Sequence, residues 1–173
     1  MASYYYLIPS LPDLKTDGEM PLSYGEFLKC CQSNVSDKVY ELLENLTLAS
    51  TEGPLVSEWS GFYGALIKEL NYQRSMGLGR TYSSAYDKDA VNAQVVSSAL
   101  SAKNPLEAEK ILLDYEFAAL DSLVGLHIFD DYVLFGYALK LKLLERRSCF
   151  EEPKGRAEFK SLFDSVQQRV YSL

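Results

Sequence analysis

Histidine is almost missing from this sequence: His127 stands alone among 173 residues. A helical-bundle di-iron centre, which draws Glu-x-x-His steps from two helices, therefore lacks its ligands. Any Cys–His or Ser–His pair would depend on that one imidazole, and no G-x-S-x-G elbow surrounds a serine. Cysteine is scarce too. Cys30, Cys31 and Cys149 are an odd number without a C-x-x-C spacing, which fits a reduced cytoplasmic compartment better than a disulfide framework. In "MGLGR" (Met76–Arg80) neither the Lys-Ser/Thr ending of a P-loop nor the third glycine of a dinucleotide fingerprint is present. No catalytic residue, cofactor or metal ligand is expected.

Long apolar runs and positive charge are also in short supply. The most apolar windows, Leu112–Leu126 and Tyr132–Leu144, contain Asp114, Glu116, Asp121, Lys140 and Lys142, so neither matches the roughly 20 apolar residues of a spanning helix. Seventeen Lys and Arg face 24 Asp and Glu, a formal charge of −7, which repels nucleic acid and anionic membrane surfaces at long range. The opening "SYYYLIPSLP" carries no basic residue, and Pro9 and Pro12 interrupt its apolar run, so it does not read as a secretory signal. Met1–Pro12 is expected to run extended across the folded body with some of Tyr4, Tyr5, Tyr6, Leu7 and Ile8 buried.

What the sequence does contain is helix punctuation. Ser23-Tyr24-Gly25-Glu26 spells a capping box, predicting a helix over Tyr24–Gln32. Ser36 or Asp37 caps a second, with Val39, Leu42, Leu43 and Leu46 at helical spacing, ended by "STEGP" (Ser50–Pro54). A third is predicted over Val56–Met76, stopped by Gly77 in a left-handed C′ conformation. "GLGRTYSSAYD" then reads as a linker at 78–87 between lobes 1–77 and 88–173. Asp87 or Asp89 starts a fourth helix to about Ala102. Asn104-Pro105-Leu106-Glu107 starts a fifth, to Val124, and Asp130 caps a sixth, to Cys149. Pro153 or Lys154 opens the last, whose stripe is Phe159, Leu162, Phe163, Val166 and Val170. The predicted fold is all-α, one multi-helix domain of about six or seven helices in two lobes, with an extended N-terminal segment.

Thirteen tyrosines against one tryptophan add broad contact area with a polar tip, suited to partly buried packing and to protein interfaces. Among charged residues, Lys142, Arg146 and Arg147 gather at the C-terminal end of the Asp131–Cys149 helix, where the helix dipole favours them. With Tyr4, Tyr5 and Arg80 they are the candidate partner contacts. Glu116 and Glu145 lie in or beside apolar helical stretches and are candidate buried carboxylates, expected to pair with basic residues of neighbouring helices.

Four blocks, "YYYLIPSLPDL", "KELNYQR", "NPLEAEKILLDYEFAALDSL" and "FDDYVLFGYALKLKLLERR", together resemble a bacterial family of unassigned activity encoded among the subunit genes of V-type (vacuolar/archaeal-like) ATPases. The resemblance spans nearly the whole chain. "YALKLKLLERR" and "KELNYQR" also resemble helices of the C/d-type central-stalk component of these ATPases, an all-helical funnel joining rotor shaft to membrane ring; this chain is about half its length. The resemblance implies a cytoplasmic, non-catalytic subunit or accessory protein of a V-type ATPase. It would act by protein–protein contact at the inner face of the membrane, peripheral through its partners. The alternative from another class is a small-molecule-binding helical domain, or an enzyme with a tyrosine-lined pocket and Glu116 or Glu145 as acid–base group. An enclosed cavity holding a carboxylate would favour the alternative, a filled core with an exposed apolar patch the contact role.

Overall fold

The computed structural model describes residues 4–82, 88–150 and 152–171, in which eight helices and no strand are found: α1 (Tyr4–Ser10), α2 (Tyr24–Cys31), α3 (Asp37–Glu44), α4 (Val56–Gly77), α5 (Ala90–Leu100), α6 (Pro105–Val124), α7 (Asp131–Ser148) and α8 (Glu152–Tyr171). Their starts follow capping chemistry. At α2 the Ser23 hydroxyl accepts from the Glu26 amide (3.3 Å) while the Glu26 carboxylate accepts from the Ser23 amide (2.8 Å), completing the capping box. Ser36, Asp89, Asn104 and Asp130 cap α3, α5, α6 and α7, each side chain accepting from a first-turn amide. Helix α3 ends at Glu44, earlier than "STEGP": the Asn45 side chain takes up the Glu41 carbonyl, and the Leu46 amide turns to the Leu43 carbonyl in place of continuing the helical ladder.

The start of α4 has no side-chain cap. Leu55 holds φ of 62° there, and the Val56 amide donates to the Pro54 carbonyl at 2.7 Å, a tight three-residue turn that costs an L residue strain. The turn places the Leu55 side chain in the core, 1% exposed, beside Gly136 of α7. The stop of α4 differs from expectation. Gly77 stays helical and Gly79 takes the left-handed conformation (φ 66°). The Gly79 amide donates to the Met76 carbonyl (3.0 Å) and that of Arg80 to the Ser75 carbonyl (2.9 Å), a Schellman motif set two residues later.

Helix α7 is the axis of the fold, packed against α2, α3 and α6. Leu134, Phe135, Ala138, Leu139, Leu141 and Leu143 are all fully buried, as its nearly all-apolar first turns predict. Gly136 lets α6 approach: a Cβ there would lie 2.6 Å from Cγ2 of Val124. The main core joins Leu7, Phe27, Leu43 and Trp59 to Leu113, Leu120 and the α7 side chains, and so draws on both sides of the predicted 78–87 linker, of which residues 83–87 lie outside the described ones. A smaller cluster, Leu66, Leu70 and Val96, ties α4 to α5. Trp59 is wholly buried, its indole N–H satisfied by the Leu48 carbonyl at 3.1 Å.

The extended N-terminal segment is corrected in part. Tyr4–Ser10 is helical despite Pro9. Seven residues are too few to hold a helix unaided, and tertiary contacts supply the difference. Leu7 is buried in the main core, the Tyr4 hydroxyl donates to the Asp131 carboxylate, and the Tyr5 ring stacks on Phe129 (centroids 4.4 Å apart). Proline at position 9 removes the amide that would donate to the Tyr5 carbonyl, a loss that these tertiary contacts outweigh. From Leu11 to Leu22 the chain has no helix and runs along α7 as a strap. The Tyr137 hydroxyl donates to the Pro12 carbonyl (2.9 Å), and Arg147 donates to the Thr16 carbonyl near the far end.

Candidate interaction surface

The charged residues singled out in the sequence turn inward. Arg146 lies between two glutamates of α6. Its Nε donates to Glu109 Oε1 at 2.7 Å, Nη1 donates to Glu116 Oε1 at 2.9 Å, and Nη2 donates to the second Glu116 oxygen. Glu116 is 1% and Glu109 6% exposed. Burial pushes the Glu116 carboxyl above the usual carboxylate range against the pull of Arg146. For Arg146 burial acts downward, but the hydrogen bonds and charge of Glu116 and Glu109 outweigh it, so the guanidinium stays charged. The triad satisfies its own polar groups, and among the described residues no buried side-chain nitrogen or oxygen lacks a partner.

The other candidates divide by exposure. Lys142 sits 3.5 Å over the Tyr24 ring and pairs with Glu145 at 3.2 Å. Arg147 is held by the strap and Tyr4 by Asp131. These three and Arg146 are half-buried, whereas Tyr5 and Arg80 are exposed. The cluster Lys142, Arg146 and Arg147 is therefore corrected as an exposed patch: the dipole places the charges, and carboxylates, a ring and a carbonyl then engage them. Glu145 is corrected as well. Its side chain is 37% exposed, because it leans to the wetted side of α7 toward Lys142. Sequence reading missed Glu109, although its seven-residue step from Glu116 puts both on one face of α6. It also missed Glu69, buried in α4, whose carboxylate accepts from Gln73 at 2.6 Å.

Large apolar side chains are exposed in several places, among them the two ends of α7. At one end Tyr5 and Tyr6 of α1 and Leu126 and Ile128 of the α6–α7 turn are exposed. At the other lies α8. Every residue from Gly155 to Arg169 is exposed, including Phe159 (70%), Leu162, Phe163 and Val166; the Val170 side chain of the predicted stripe lies outside the described ones. A concavity of about 670 Å³ opens between α8 and the body, lined by Asn104, Pro105, Leu106, Cys149, Phe150, Gly155, Arg156 and Phe159. A neighbouring one of about 390 Å³ shares Leu106 and Phe150 and extends the surface to Met20 and Arg147. A third, along α8, is lined by Lys160, Asp164 and their neighbours. Neither Glu116 nor Glu145 lines any of these three.

Among the described residues no group of three or more His, Cys, Asp and Glu could hold a metal ion, and no helix is long and apolar enough to cross a membrane. Compared with protein-family models, curated proteins and solved structures, the chain has no match in any of the three.

Proposed function

We propose that the protein is a non-catalytic component that acts by protein–protein contact, and that the assembly it serves is a V-type ATPase, as subunit or accessory factor. One observation carries the contact role: the body engages the Arg146–Glu109–Glu116 triad within itself while α8 holds Phe159, Leu162, Phe163 and Val166 in the open. Apolar patches of that kind on soluble proteins mark sites of association. Stiff helices locked by a buried ion triad suit a part that transmits or holds position and makes no bonds. The ATPase assignment comes from the sequence blocks that resemble the operon-encoded family, and with it comes a position at the cytoplasmic face of the membrane, held through partners.

Recovery of tagged full-length protein from its native cells in mild detergent tests the assignment. The catalytic and stalk subunits of the ATPase are expected to co-purify in fixed ratio. Their absence at low salt, with the tagged protein intact, overturns the ATPase assignment.

A further inference from the structure

We draw no further inference here: the strongest candidate, the exposed apolar stripe of Phe159, Leu162, Phe163 and Val166 on α8, next to the concavity at Leu106 and Phe150, carries nothing beyond the contact role above, because nothing in the structure shows what covers it.

Discussion

Helices α7 and α8 are neighbours in sequence and close in length, 18 and 20 residues, yet they occupy opposite environments. Helix α7 is covered by α2, α3, α6 and the N-terminal strap, with eight of its residues buried. Helix α8 is exposed along every residue from Gly155 to Arg169. Both have apolar residues at three- and four-residue steps, so a stripe alone does not decide burial. Helix α7 is apolar nearly all round at its start, and water is excluded only when several elements cover it. One four-residue stripe on a polar helix leaves α8 stable to solvent and available to a partner.

The strongest way to break this contrast is to disturb charge in the body and apolar surface on α8, then compare. Arg146→Met leaves Glu109 and Glu116 buried without their counter-charge, and is expected to cost about 3–5 kcal/mol of unfolding free energy. Phe159→Ser/Leu162→Ser removes two large side chains from α8 with an expected change within about 0.5 kcal/mol, since neither is buried. Urea unfolding of the full chain measures both. Equal costs would mean that α8 is packed in solution and that the contrast fails.

A glycine in each helix sharpens the comparison at smaller scale. A methyl group at Gly136 would meet Val124 at 2.6 Å, so α6 and α7 must move apart. Gly136→Ala is expected to destabilise by about 1–3 kcal/mol from overpacking, more than the roughly 1 kcal/mol that alanine gains in helix propensity. At Gly155 nothing lies within 4 Å. Gly155→Ala should therefore firm α8 by about 0.5–1 kcal/mol, seen as slower hydrogen exchange of its amides with the melting of the body unchanged. A stabilising Gly136→Ala would show that the α6–α7 approach is looser than 2.6 Å implies.

Legibility in the sequence follows the same division between local and long-range causes. Ser23, Ser36, Asp89, Asn104 and Asp130 each satisfy amides within three residues, so five helix starts could be read from neighbouring letters. Helix α1 could not, because Pro9 argues locally against it and the favourable contacts come from Asp131 and Phe129, over a hundred residues away. The shift of the α4 stop from Gly77 to Gly79 turned on which glycine lets the last carbonyls find partners. Arg146 could be flagged as charged at a helix end, but its engagement depends on α6 lying alongside with Glu109 and Glu116 on one face. The α8 stripe was legible from Phe159 to Val166. Its exposure was not, since a covered and an uncovered stripe share one spacing.

Cysteine reactivity reads the same contrast without disturbing stability. Cys31 is buried in the body, and burial, followed by the charge of Cys30, pushes its thiol up to about 12. At pH 8 only about one molecule in ten thousand would carry the thiolate that reacts. Cys30 and Cys149 are exposed, and Cys149 lies where α7 gives way to α8, on the wall of the concavity between α8 and the body. A chromogenic disulfide reagent should therefore titrate two thiols of the native chain quickly and the third only on unfolding. The linkage has a definite sign: the folded state holds the Cys31 proton more tightly than the unfolded chain, so stability from this group falls as pH rises from the ordinary thiol range toward 12. Cys31→Ala should flatten that alkaline loss. Rapid modification of all three thiols at pH 8 would show that the core around Phe27 and Leu43 opens as readily as α8, and the distinction between the two helices would lose its physical basis.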